Sequence, residues 1–279
     1  MMLKSLIQAV LGHPLMKGCD LDAPETTKTR IRLIKEKAFL NKFYQDCYLS
    51  IAGSIPENIN GKILELGSGA GFIKDYLPAC VTSEIFRISN IDVVLDGQRL
   101  PFRDDSLRSI VMLNVFHHLP RVQLFLVEAA RCIPPGGVIV MIEPWNTPWS
   151  RLVYGHLHHE SFDTGCSGWE FQQGGPLSKA NQALPWIVFQ RDRANFERMF
   201  PNWHIANINL QSPFCYLFSG GVSLRSFMPG FLFGIWRTIE NKLQSCMPVL
   251  GMFAKIVLLR KEDNHYISRK RHRLTFPKA

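Results

Sequence analysis

From Glu25 to Gly53 apolar residues recur at helical spacing. Ile31, Ile34 and Ala38 are followed by Leu40, Phe43, Tyr44, Cys47, Tyr48 and Ile51, which predicts one helix with Thr26 or Thr27 as its cap and Gly53 as its stop. The pattern then alternates between short apolar runs and helical spacing. It predicts a strand over 62–66, a helix after Gly71 to about Leu77, a short strand near 80–84, strands at 92–95 and 109–114, a helix over 121–132 and a strand over 137–143. "PPGG" at 134–137 separates that helix from the strand "VIVMIE". Strands alternating with helices predict an α/β fold whose mostly parallel sheet carries helices on both faces. Residues 145–187 lose the periodicity and gather Trp145, Trp149, Trp169 and Trp186 among Gly, Pro and His, as an insertion or lid does. A helix near 188–200, a strand near 203–210, a Gly- and Pro-broken apolar stretch over 213–253 and a last strand, "AKIVLLR", complete the order. The expected organisation is a helical extension over 1–56 and a main domain over 57–262. That domain carries a lid-like insertion at 145–187 and an apolar helical insertion at 213–253 before the last strand; a basic tail fills 263–279.

Composition changes this picture little. With 46% hydrophobic and 20% charged residues the chain reads as globular, and 279 residues suit one domain with additions. The net charge of +9 is uneven: seven basic and two acidic residues lie between Arg260 and Ala279. Such a tail is either a solvated terminus or a contact for an anionic partner, such as an anionic membrane surface; with no RNA-binding module beside it, nucleic acid ranks low. Seven cysteines without a C-x-x-C pair give neither a disulfide framework nor a zinc site, and suit a reducing cytoplasm. The first twenty residues imitate an export signal only faintly, because Gln8, His13 and Pro14 interrupt the apolar stretch, so a short helix is expected. No window reaches the roughly 18 apolar residues of a spanning helix. The best, Ser226 to Trp236, is closed by Arg225 and Arg237.

Candidate chemistry starts at "ILELGSGAGF", residues 63–72. A strand that stops at Gly67-x-Gly69-x-Gly71 and turns into a helix brings bare backbone N–H groups to the carboxyl edge of the sheet, where ligands approach. Phe72 stands where a dinucleotide fingerprint needs glycine or alanine, and Glu65 would repel a pyrophosphate while attracting an ammonium group.

"LELGSGAGF" resembles motif I of the class I S-adenosylmethionine-dependent methyltransferases, and three further segments continue the resemblance. "LDGQRLPF" at 95–102 is similar to the family's adenine segment, "SIVMLNVFHHL" at 109–119 to its fourth strand, and "RCIPPGGVIVMIEP" at 131–144 to the entry of its fifth. The resemblance covers residues 60–145 and implies a Rossmann-like sheet and S-adenosylmethionine as cofactor. It implies that Glu65, Gly67, Ser68, Gly69 and Gly71 hold the methionine part, that Asp96, Gly97 and Gln98 face the adenine, and that Asn114 lies near the methionine amino group or the transferred methyl. The chain departs from the family between the second strand and the adenine segment, where only about a dozen residues leave no room for a full helix. Glu84 is the candidate for the ribose hydroxyls, with Asp92 as its rival.

Methyl transfer needs proximity, alignment and, for a hydroxyl acceptor, a base. His117 and His118 stand where the fourth strand ends, so each is a candidate base; the alternative is that one ring packs or caps the next helix. "HLHHE" at 156–160 imitates a metal cluster, but adjacent His158 and His159 and the lack of a regular element favour a substrate-facing or exposed loop, so no metal is assigned. The four tryptophans serve equally as anchors of a long loop or as walls of an apolar acceptor pocket. The expected function is therefore methyl transfer from S-adenosylmethionine to a small-molecule or lipid-like acceptor, and the 213–253 stretch either lies on the inner membrane surface or packs on the sheet edge or a dimer face. The competing readings are a non-catalytic, methyltransferase-like binding protein and, last, a nicotinamide-dependent oxidoreductase.

Overall fold

The computed structural model describes residues 10–69, 71–89, 91–157, 160–171, 175 and 180–262. The basic tail at 263–279, His158 and His159 therefore lie outside the described residues.

Seven strands form one sheet in the order β3-β2-β1-β4-β5-β7-β6. They are β1 (Lys62–Glu65), β2 (Val81–Glu84), β3 (Val93–Val94), β4 (Leu107–Leu113), β5 (Val138–Pro144), β6 (Trp203–Gln211) and β7 (Phe253–Arg260). The first five run parallel, and β7 enters antiparallel between β5 and β6. The central strands are near-continuous apolar runs because both faces are covered. Along them the side chains alternate. Ile63, Val111, Val140 and Ile142 point to one face, and Leu64, Ile110, Met112, Ile139 and Met141 to the other. The first face is covered by helix α2 (Ala38–Ala52) through Phe39, Leu40, Phe43, Cys47, Tyr48 and Ile51. The second is covered by α3 (Val122–Cys132) through Phe125, Leu126 and Ala129, together with Phe189, Phe196 and Trp203.

Three expectations need correction. The helix over 25–53 is two helices, α1 (Pro24–Glu36) and α2, with Ala23 rather than a threonine at the first N-cap. The break falls at Lys37, whose extended backbone turns its buried ammonium away to donate to the carbonyls of Gly221 and Leu224. The helix expected after Gly71 shrinks to a single 3-10 turn, Ile73–Asp75. Pro78 lies too close for more, and Phe72 and Tyr76 are instead held by ring contacts to Tyr48 of α2. Near the N-terminus, the short helix falls mostly outside the described residues; its end at 10–11 is helical, and a separate 3-10 turn follows at Pro14–Met16.

Within 145–187 stands a regular helix, α4 (Pro148–Leu157), and α5 (Arg193–Met199) precedes β6. The 213–253 insertion contains α6 (Phe233–Lys242) and two shorter helices, Cys215–Ser219 and Met247–Leu250. Glu240, fully buried, accepts the backbone N–H groups of Phe214 and Cys215, while Arg237 pairs with Asp46 at 3.0 Å, so α6 is tied both to the short helix and to α2. No helix of the described residues is long and apolar enough to cross a membrane.

Candidate active site

The carboxyl ends of β1, β2 and β4 open onto a cavity of about 430 Å³. The glycine turn forms one side of it. Gly67 takes φ +67°, and a Cβ there would come within 2.7 Å of the Val115 side chain, so only glycine fits. The turn is tied to β2 by the Ser68 N–H, which donates to the Ser83 carbonyl at 2.7 Å. Glu84, at the end of β2, faces the cavity and accepts the Gly69 N–H at 3.0 Å. Burial raises its pKa above the usual carboxylate range. Its rival Asp92 is turned away, bonded to Thr82 and Lys74, and lines no part of the cavity. Asp96, Gly97 and Gln98 line the cavity after β3, with the Asp96 carboxylate accepting the Gln98 N–H at 2.9 Å. Asn114 lines it at the end of β4 with φ +58°, a strained conformation that asparagine tolerates better than most residues.

Glu65, Ser68 and Gly71 are not part of the cavity wall, contrary to the expectation that all three face the methionine part. The cause is Tyr48: its hydroxyl hydrogen-bonds the Glu65 carboxylate from α2 and lies so close to Gly71 that a Cβ would be 1.9 Å away. Burial raises the Glu65 pKa to about 7, against the smaller opposing effects of hydrogen bonds from Ser68 and then Tyr48, and its Oε2 has no hydrogen-bond partner among the described residues. A buried carboxylate oxygen without a partner among the described residues, two residues before a bare glycine turn, fits a site built for a cationic amine. With Glu84 for a diol and Asp96 for a ring amine, the residues present fit S-adenosylmethionine.

His117 and His118 form a single 3-10 turn, Phe116–His118, after β4 and both line the cavity. His117 is buried, with Nδ1 2.6 Å from Oε2 of Glu143. Glu143, fully buried near the end of β5, uses Oε1 to accept the N–H groups of Val115 and Phe116 at 2.8 and 2.7 Å. Burial alone would lower the His117 pKa, but Glu143 and then Glu160 outweigh it and raise it to about 9. Glu160 also lines the cavity. It stands 3.5 Å from His117 Nε2 and 3.8 Å from His118 Nε2, and accepts from the Gln182 amide at 2.7 Å. Of the "HLHHE" run, then, Glu160 reaches the site. His156 lies in the last turn of α4, exposed and bonded to the Leu152 carbonyl, so a regular element does run into that segment.

The tryptophans do not wall an acceptor pocket; none of the four lines the cavity. Trp145 and Trp169 are buried in the core, Trp186 packs on it, and Trp149 donates to the Pro213 carbonyl. The aromatic wall comes from Tyr44, Tyr154, Tyr216 and Phe253 instead. Arg30 of α1 also lines the cavity, and its Nε is buried without a hydrogen-bond partner among the described residues. Sequence reading missed Glu143 and Arg30, and it named Glu160 only within the "HLHHE" loop, without its pairing to His117 and His118. A lone acid inside the apolar run "VIVMIEP" was a usable signal for Glu143; for Arg30, one of several basic residues on a helix, there was none.

Residues 64–141 match a family model described as a methyltransferase domain. A fatty-acid O-methyltransferase of Mycolicibacterium smegmatis is 28% identical over 143 residues, 43% of this chain and 52% of that protein. The chain thus spans about half the length of the curated relative it matches. Among solved structures, an S-adenosylmethionine-dependent methyltransferase of Mesorhizobium loti aligns over 76% of this chain and 96% of its own at 13% identity and a TM-score of 0.43. One of Aquifex aeolicus aligns over 85% and 98% at 11% identity and a TM-score of 0.42. Likeness at that level leaves the fold to be read from the strand order itself. The matched segment runs from within β1 to within β5, and the ends of those strands build the cavity, so residues 64–141, the part of the chain that forms the site, are what is similar to a methyltransferase domain.

Proposed function

We propose that this chain transfers the methyl group of S-adenosylmethionine to a lipid-like acceptor presented at His117, His118 and Glu160. The observation that carries the reading is the continuity of one cavity wall, which passes from Gly67, Gly69, Glu84 and Asp96 through Asn114 to the two histidines and the rings of Tyr154, Tyr216 and Phe253. S-adenosylmethionine supplies a methyl group already activated by its sulfonium charge. The protein's part is to bind and align. Glu84 takes the ribose hydroxyls, Asp96 with Gln98 the adenine edge, and the glycine turn the amino end, with the buried Glu65 carboxylate behind the cavity wall supplying negative charge rather than a direct contact. Arg30 takes the carboxylate of the methionine part. Glu143 fixes the ring of His117, and His118 orients the acceptor's nucleophile or accepts its proton. The aromatic wall holds an apolar body in place of water. The fatty-acid O-methyltransferase similarity supports a lipid-like acceptor.

The finer part of the reading is that the acceptor comes from a membrane surface. Phe231 is 77% exposed and Ile235 57%, with Phe227 and Ile239 beside them on the same insertion, an apolar strip at the surface. All seven cysteines are free, which supports a reducing, cytoplasmic setting.

The test is incubation with methyl-tritiated S-adenosylmethionine and a panel of free fatty acids, quinols and lipid extract. Label in an organic-extractable product that needs Glu84 and Asp96 supports the reading. Cofactor binding with no label transferred to any member of the panel would leave a binding protein.

A further inference from the structure

His117 and His118 meet Glu160 from a distant part of the chain. Each presents one ligand-type atom, and these atoms all lie within 4.8 Å of one another. One carboxylate oxygen serves each ring: Oε2 lies 3.5 Å from His117 Nε2 and Oε1 3.8 Å from His118 Nε2. Direct N–H···O bonds run about 2.7–3.2 Å, so these gaps are too wide for a well-made hydrogen-bonded cluster. A tetrahedral ion with bonds of about 2.0–2.1 Å holds neighbouring ligand atoms roughly 3.3 Å apart, close to the 3.5 and 3.8 Å gaps at Glu160.

We propose that His117, His118 and Glu160 form a site for a divalent transition-metal ion, zinc foremost, with its open position facing the acceptor half of the cavity. The surrounding groups are those a metal site requires. Glu143 holds Nδ1 of His117 at 2.6 Å, which fixes the ring and leaves Nε2 as the ligand atom, and the Gln182 amide holds Glu160 at 2.7 Å. Two imidazoles and one carboxylate suit zinc or a neighbouring transition metal and disfavour magnesium and calcium, which take oxygen ligands. Among the described residues three protein ligands are present, the number in a catalytic site that keeps a position open. All three line the cavity that also contains Asn114. An ion there would coordinate the acceptor's oxygen. That role rests on the methyl-transfer reading, whereas the ion site rests on the ligand geometry alone.

The test uses the untagged full chain. Metal content is measured by mass spectrometry after purification without chelator. The stripped protein is then titrated with zinc by calorimetry and with cobalt by visible spectroscopy. The expected result is one ion per chain, with affinity falling at least a hundredfold in Glu160→Gln and in His118→Asn, and roughly tenfold to hundredfold in Glu143→Gln. Circular dichroism checks the fold of each variant; should a variant unfold, the intensity of the wild-type cobalt bands, which reports coordination number, decides. No stoichiometric ion, or binding that is unchanged in folded Glu160→Gln and His118→Asn, overturns the site. Parallel titration with S-adenosylmethionine separates the two readings. Cofactor binding without metal binding removes the ion site alone, and metal binding without cofactor binding removes the methyl-transfer reading alone.

Discussion

His117 Nδ1 lies 2.6 Å from Glu143 Oε2, and the other oxygen of the same carboxylate accepts the N–H groups of Val115 and Phe116. One buried side chain from β5 thus sets both the ring and the backbone of the turn after β4. Glu143→Gln keeps the shape but turns one acceptor oxygen into a donor. It is expected to lower stability by about 1–3 kcal/mol, the range for an upset buried hydrogen bond. It should lower kcat more than it raises KM for the cofactor, and urea titration with steady-state kinetics checks both.

Asp96 is exposed at the end of β3 and bonded only locally, to Gln98. Asp96→Ala is therefore expected to leave Tm within a degree or so of wild type while weakening S-adenosylmethionine roughly tenfold to hundredfold, the equivalent of one hydrogen bond to a charged group. Calorimetric titration checks this, and undiminished affinity would remove Asp96 from the cofactor site.

Arg30 places a guanidinium with an unpartnered Nε against the cavity. Arg30→Met is expected to weaken S-adenosylmethionine about tenfold or more and to leave decarboxylated S-adenosylmethionine unaffected, because the lost partner is the ligand's carboxylate. Equal loss for both ligands would mean that Arg30 acts on the fold or on another part of the cofactor.

Burial raises the Glu65 pKa to about 7, above the usual 4.5 of a glutamate carboxyl. A carboxyl whose folded pKa is raised favours the folded state while protonated, so its contribution is complete below about pH 4.5 and lost as pH rises through about 7. Wild-type protein without cofactor is expected to lose stability between about pH 4.5 and 7, by up to about 3 kcal/mol from this group. Glu65→Gln should flatten that slope. Cofactor affinity should run the opposite way, rising with pH as Glu65 ionises opposite the amino group. Urea denaturation at several pH values, with and without cofactor, reads both signs.

Phe231 and Ile235 project from the 213–253 insertion, and the basic cluster Arg269–Arg273 follows in the tail outside the described residues. The protein is expected to float with anionic vesicles at low salt and less so at high salt, since exposed charges are screened beyond about 8 Å at physiological ionic strength. Phe231→Ser with Ile235→Ser, and separately removal of 264–279, should each weaken flotation. A protein that stays at the bottom of the gradient at low salt has no such surface.

The strands were legible because buried parallel strands are continuous apolar runs, and "VIVMIE" or "SIVML" has few alternatives. The glycine turn and the adenine segment were legible because backbone conformation there restricts the residue type. What sequence concealed was long-range. Glu160 meets His117 only because α4 and the segment after it return across the sheet end, and no spacing encodes that return. Tyr48 filling the space beneath Gly71 was equally hidden, since its helical period marks it simply as core. The missing helix after Gly71 was misjudged from the turn motif, although Pro78 and the aromatic pair Phe72 and Tyr76 were in view.

Lys37 joins the junction of α1 and α2 to carbonyls at Gly221 and Leu224, and these partners are 184 and 187 residues away along the chain. During synthesis the first helices leave the ribosome long before the segment that receives this lysine. Loop closure over such a separation is slow relative to local contacts, so Phe39 and Phe43 of α2 gain their ring partners Phe233, Tyr216 and Phe253 only once the C-terminal segment is made. The wall of the cavity that α1 and α2 supply is consequently the last to be completed. A chain truncated before residue 221 would gain its central strands and lack a closed site.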